Sequence, residues 1–393
     1  MSEILAFTVL MAILAFGDVI STATKAKIPS VFVISIVAIA GFWSNIIPTD
    51  ILYLTGISLP LIYVFYYLQL PHMGALMSVK EMLQQWKTIL ICIAGIVGIA
   101  VFTLTIGTLL FGWETVVVGT PPLAGGIVAV EIMKTAAFEK GLDSLGLLAI
   151  GVFVLQGFVG YPLTAALLKK EANRLLKEFR VGNMSIDSNI STISKTSKKK
   201  LLPQLPEKYI SNNTVLFKLA IAGLIGIAIT NLTGEFVSRY VILLVVGVIL
   251  SEIGFLDRSP LVKSQVFGFS MVVIVGYSVI DGLSGITPEI LMSMIGPLIG
   301  IIVIGVSGLL LFAMIVGKKL GFSKEMAMAV ALTALYGFPS NFILAQEAVK
   351  AIECNEEEKE FLTTHIEPKM IVGGFTTVTM ASVLLAGIFV KFL

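Results

Sequence analysis

Two stretches place proline and glycine inside apolar runs that would otherwise be helical. The first is Val116-Val117-Val118-Gly119-Thr120-Pro121-Pro122-Leu123-Ala124-Gly125-Gly126, and the second is Ala331-Leu332-Thr333-Ala334-Leu335-Tyr336-Gly337-Phe338-Pro339-Ser340-Asn341. Proline removes a backbone donor and glycine admits positive φ, so each run reads as a broken helix. Non-helical backbone at membrane depth persists only where protein or water satisfies it. A half-helix starting after Pro122 would turn the N–H groups of Leu123, Ala124 and Gly125 inward, between Thr120 and Gly126, and its dipole would favour an anion. An opposed half-helix after Pro339 would present Ser340 and Asn341, with Tyr336 and Gly337 leading into it. A carboxylate held between two such tips fits this arrangement. The competing reading is that these residues only kink two packed helices; the occurrence of both breaks at matching positions favours the tips.

A coupling cation such as Na⁺ needs hard oxygen ligands. Thr164, Thr376 and Thr377 supply hydroxyls on glycine-bearing helices next to the breaks, beside Gly160, Gly373 and Gly374. The alternative for each is a bond to its own helix four residues back. Glu131, on the exit arm of the first break, is the candidate coupling carboxylate; Glu347 stands in the same place after the second. His72 and His365 read as interfacial. No H-E-x-x-H, P-loop, G-x-S-x-G or CxxC motif occurs, so neither catalytic residues nor an organic cofactor are expected. Without a nucleotide motif, transport would draw on an ion gradient. Cys92 and Cys354 read as free thiols.

These residues need a lipid-embedded frame, and the composition demands one. Of 393 residues, 56% are AVILMFWYC and only 13% are charged, about half the usual share. A mean hydropathy of +0.97 leaves too few polar side chains to coat a soluble particle. The net charge of +2 offers no electropositive face for nucleic acid. The expected fold is therefore an all-α polytopic membrane protein, placed in the plasma membrane.

Runs of spanning length fall near 3–20, 30–47, 51–69, 88–112 and 144–168, then near 214–233, 236–253, 265–283, 290–316 and 369–392. Residues 1–168 form a first membrane repeat and 214–393 a second. Between them, 169–213 carries Lys169, Lys170, Arg174, Lys177, Arg180, Lys195 and Lys198 to Lys200, which marks a basic cytoplasmic linker. Lys25, Lys27, Lys80 and Lys87 share the linker's side only if residues 116–138 enter and leave on one face. Each half then has five crossings plus one re-entrant hairpin, and the odd number inverts the halves.

The stretch from Gly317-Lys318-Lys319 to Ile388, with Ala334-Leu335-Tyr336-Gly337-Phe338 at its centre, resembles the glutamate:sodium symporter family of secondary transporters. The likeness extends to Val245 to Ser251, to Lys27-Ile28-Pro29 and to Val116 to Lys170. It implies inverted five-helix halves with opposed re-entrant loops, Na⁺ as driver, an acidic amino acid or other carboxylate as cargo, and a homodimer. Where that family carries a glycine-rich first loop with a His-Gly step, this chain has Thr120-Pro121-Pro122-Leu123. The expected function is sodium-coupled symport by alternating access. Sodium/proton antiport through Glu131 and a non-transporting membrane sensor or scaffold are the alternatives.

Overall fold

The computed structural model of the chain describes residues 1–77, 79–125, 127–182, 206, 209–234, 239–285, 287, 288, 292 and 294–393. Among these residues the regular structure is entirely helical. The first half runs α1 (Glu3–Ala23), α2 (Ser30–Trp43), α3 (Leu59–Ala75), α4 (Trp86–Phe111), a short pair α5 (Trp113–Leu123) and α6 (Ile127–Glu139), then α7 (Asp143–Arg180). The second half runs α8 (Asn212–Leu232), α9 (Arg239–Glu252), α10 (Phe267–Asp281), α11 (Ile295–Lys319), a short pair α12 (Lys324–Leu332) and α13 (Ser340–Lys350), then α14 (Glu356–Phe375). That last helix continues through a π-helical stretch, Thr376–Ala381, into α15 (Ser382–Phe389). Among the described residues five helices, α1, α4, α7, α8 and α11, are long and apolar enough to cross a membrane. The chain is a multi-pass membrane protein.

Local sequence explains where the helices depart from the apolar runs. Gly56 at φ +84° splits the run from residue 51 after one helical turn, Ile51–Leu54, and α3 opens at Leu59 with Pro60 in its first turn. At the other extreme α7 passes Leu168 and reaches Arg180, so the first part of the basic linker is helical. Arg174 supports that extension through ion pairs with Glu171 (2.7 Å) and Glu178, one turn away on either side. Lys195 and Lys198 to Lys200 lie outside the described residues.

Small residues set the closest helix contacts. A β-carbon on Gly98 of α4 would overlap Gly308 O of α11, and one on Gly308 would overlap Gly98 O. Gly74 of α3 meets Leu244 O of α9, while Gly247 of α9 meets Pro71 O. In lipid, where apolar surface has no drive to leave its solvent, such backbone approach is what joins helices.

The charged loops gather at one end. Lys25 Nζ pairs with Glu353 at 2.7 Å, and Lys169 Nζ donates to Lys25 O at 2.9 Å. Ser323 Oγ donates to Glu171 at 2.7 Å, Lys87 Nζ to Leu320 O at 3.1 Å, and Arg180 pairs with Glu358 at 2.7 Å. From Lys87, α4 rises about 36 Å before Phe111, so Trp113 stands at the opposite end. Asp143 is there too, because α7 runs about 39 Å from it to Lys169. The α5–α6 hairpin thus enters and leaves at the end opposite those loops. The α12–α13 hairpin starts beside Ser323 and finishes beside Glu353, so it enters and leaves at the charged end.

Candidate functional site

Every residue from Val116 to Gly125 is buried. Pro121 and Pro122 lie within the last turn of α5, and they cannot donate to the carbonyls of Val117 and Val118 four residues back. The sequence starts a half-helix after Pro122; the structure instead ends one at Leu123. Proline's fixed φ suits a helix, and the chain reverses only at Gly125, where φ is +81°. Ala124 N donates to Pro121 O at 3.1 Å and Gly125 N to Pro122 O at 3.0 Å, so these amides close the turn rather than face a ligand. Thr120 Oγ1 donates to Thr103 Oγ1 at 2.9 Å, tying the tip to a π-helical stretch of α4 at Thr103–Gly107. Gly126 lies outside the described residues.

In the second hairpin α12 tightens into a 3₁₀ turn at Thr333–Leu335, Gly337 takes φ +62°, and α13 starts at Ser340, directly after Pro339. Here too amides bond within the turn: Gly337 N donates to Thr333 O at 2.8 Å and Asn341 N to Gly337 O at 3.0 Å. Asn341 spends both ends of its amide, donating to Met370 O at 2.7 Å and accepting from Phe342 N at 2.8 Å. Ser340 hydrogen-bonds with Tyr161, and Tyr336 Oη donates to Thr164 Oγ1 at 2.8 Å.

The two tips touch. A β-carbon on Gly125 would overlap Ala334 O and come within 3.1 Å of Val378 Cγ2. One on Gly337 would stand 2.6 Å from the same Val378 methyl. Val378, on the π-helical stretch that follows α14, therefore packs against both breaks. Pairs of glycines on the flanking helices make room: Gly160 faces Leu335 and Tyr336, Gly373 faces Val330 and Thr333, and Gly374 faces Asn341.

Beside the second tip lies a cavity of about 60 Å³, walled by Ser35 of α2, Val154, Gln156, Gly157 and Tyr161 of α7, Ser278 and Gly282 at the end of α10, and Tyr336. Residues Gly276–Asp281 of α10 are π-helical, a distortion frequent at functional sites. Gln156 is fully buried, and neither its Oε1 nor its Nε2 has a protein partner. Each such group costs about 1–3 kcal/mol when left unpaired. Gln156 is a single primary amide in an otherwise apolar run, where no charge, break or repeat singles it out in the sequence.

The other candidates scatter. Thr377 Oγ1 donates to Gly373 O at 3.0 Å and lies 3.5 Å from Thr333 Oγ1, whereas Thr376 Oγ1 donates to Val372 O at 2.8 Å. Both make the i−4 bond that competes with ion binding, and Thr164 is engaged with Tyr336. Glu131 pairs with Lys134 at 2.7 Å, its side chain 56% exposed. Glu347 accepts from Ser30 N at 3.2 Å and so pins α13 to the start of α2. His72 is buried rather than interfacial, its Nδ1 accepting from Leu261 N at 3.4 Å.

At the charged end, Glu358 closes a capping box with Asn355 and takes two bonds from Arg180. The Arg180 guanidinium and the Asn355 N–H hold its carboxyl down at about 2. Cys354 nearby is pushed up, first by burial and then by the Glu358 carboxylate. No protein-family model and no curated protein matches this chain.

Proposed function

We propose that the chain is a secondary active transporter of the plasma membrane, built from two inverted repeats, that couples the movement of Na⁺ to that of a carboxylate or acidic amino acid. The observation that carries this reading is the meeting of two interrupted hairpins, one from each end of the molecule, at Gly125, Ala334, Val378 and Gly337. In inverted-repeat transporters the substrate and ion sites lie at the midplane between the repeats, where helices are discontinuous. The order of elements supports the repeat: three helices, a long helix, a broken hairpin and a closing helix occur once before the linker and once after it. The reciprocal contact of Gly98 with Gly308 joins the two helices that correspond, α4 and α11.

The tip amides of Ala124, Gly125, Gly337 and Asn341 are bonded within their own turns, so in this conformation an anion would draw on groups other than these four. The Tyr161–Ser340 hydroxyl pair, whose mutual bond uses one proton of two, remains to receive it. Alternating access would come from the hairpins and their flanking helices moving against the rest, exposing the tips first to one end and then to the other. The likeness of Ala334 to Phe338 to the second loop of the glutamate:sodium symporters supports both the driver and the cargo class. Uptake of a panel of carboxylates into proteoliposomes tests the proposal. An imposed Na⁺ gradient should stimulate uptake of at least one, and folded protein that gives no stimulation across the panel would end it.

A further inference from the structure

We propose that the α4–α11 pair binds an anionic phospholipid at the charged end, its head-group phosphate taken by Lys87, Lys318 and Lys319 and its acyl chains laid on the apolar faces beneath them. This goes beyond transport, since neither hairpin tip takes part in it.

The lysines gather without a counter-charge. Trp86 opens α4 and Lys319 closes α11. Lys87 Nζ donates to Leu320 O at 3.1 Å, so the two spans finish at one level, and this ammonium keeps two protons for a further acceptor. Lys318 and Lys319, directly before that carbonyl, are exposed. None of the three makes an ion pair among the described residues. Unpaired ammonium groups at the rim of two spanning helices suit a phosphate, the anion that lipid supplies at that depth, and basic pockets between such helices hold anionic head groups in this way.

Beneath the lysines the surface is apolar. Ile315 and Leu311 precede Lys318 by three and seven residues, which sets them on its face of α11, and Ile89 and Ile93 follow Trp86 on α4 at the same spacing. All four are exposed. Gly98 and Gly308 bring the two backbones together, so both rows belong to one packed pair. Trp86 is 51% exposed, with Lys87 Nζ 6.0 Å from its ring centre, and an indole so placed settles among head groups. A zwitterionic lipid would bring its own cation to the same lysines, whereas a head group of net negative charge does not. A second copy of the chain is the competing occupant, but a two-fold contact centred here would set lysine against lysine.

The test uses the full chain in detergent with three probes: dioleoylphosphatidylglycerol, dioleoylphosphatidylcholine, and glycerol phosphate, which carries the phosphate without chains. Melting temperature is read against the concentration of each, and native mass spectrometry counts the lipids retained. Phosphatidylglycerol alone should raise the melting temperature, and in the double variant Lys318→Gln, Lys319→Gln its affinity should fall by about tenfold or more with the fold retained. Lys318→Gln alone, with a smaller loss, replaces the double variant if that fails to fold. Lys170→Gln with Lys177→Gln removes two exposed charges from the tail of α7 instead and should leave binding unchanged. Equal losses in the two double variants would mean that diffuse charge attracts the lipid, and would overturn the assignment. So would an equal response to phosphatidylcholine, glycerol phosphate matching the lipid, or no response to any probe in the wild type. A dimer present in the wild type and lost with Lys318 and Lys319 would also overturn it, by showing that a second copy covers the face.

Discussion

At the scale of single residues, the candidate site depends on where glycine is required rather than merely tolerated. Gly125 and Gly141 both hold positive φ, +81° and +71°, but only Gly125 has a neighbour where its β-carbon would be. Gly141→Ala should cost about 1–2 kcal/mol through backbone strain alone. Gly125→Ala adds a collision with Ala334 O, so it should lower the detergent melting temperature by clearly more and abolish uptake. Equal losses in the two variants would show that the tips do not pack as described. The same contrast explains what was legible beforehand. Pro121, Pro122, Gly125, Gly337 and Pro339 announce broken backbone because their effect is local. Whether the freed amides face a ligand or close their own turn depends on partners a few residues away, and no spacing rule fixes that. Gln156 was silent for a related reason: a glutamine in an apolar run becomes informative only once every neighbour is known to ignore it.

Among helices, the pairing of α4 with α11 and the anchoring of α7 to α14 are separately testable. Gly296 and Gly308 share α11, but Gly296 has nothing within 4 Å of its β-carbon position and Gly308 abuts Gly98 O. Gly296→Ala should leave the melting temperature unchanged or raise it, since alanine favours helix by about 1 kcal/mol, whereas Gly308→Ala should lower it by prising the two backbones apart. The Arg180–Glu358 link ties the tail of α7 to the start of α14. A carboxyl held at about 2, below its ordinary 4.5, contributes stability that is complete above the ordinary value and is lost as pH falls toward the folded one. Glu358→Gln should therefore melt below wild type near about pH 6, and the gap should narrow as pH is lowered to about 3. A constant gap would mean that the side chain acts through packing. The helical extension to Arg180 was hidden in the sequence because its charge density looks like a solvated linker, and only the spacing of Glu171, Arg174 and Glu178 marks it as helix.

For the whole molecule, the convergence of Lys25, Lys87, Lys169, Arg180 and Glu353 on one end makes orientation measurable with the native thiols. Cys354 sits at that end and is partly exposed, while Cys92 is buried. A membrane-impermeant maleimide should label Cys354 in inside-out vesicles and leave right-side-out vesicles unlabelled, with Cys92 unreactive in both; the reverse pattern would turn the molecule over. That Lys25, Lys87 and Lys169 fall at one end was the most legible large-scale property, because basic loops report it without any knowledge of packing. The relation between the hairpins was not, since it rests on contacts spanning some two hundred positions of chain. Val378 gives that relation a mechanical meaning. One valine serves as the common bearing for both tips, so withdrawing either hairpin unseats the support of its opposite number. In the proposed transport cycle, opening toward one face of the bilayer would thereby be geared to what happens at the other, through a pair of methyl groups on a single underwound turn.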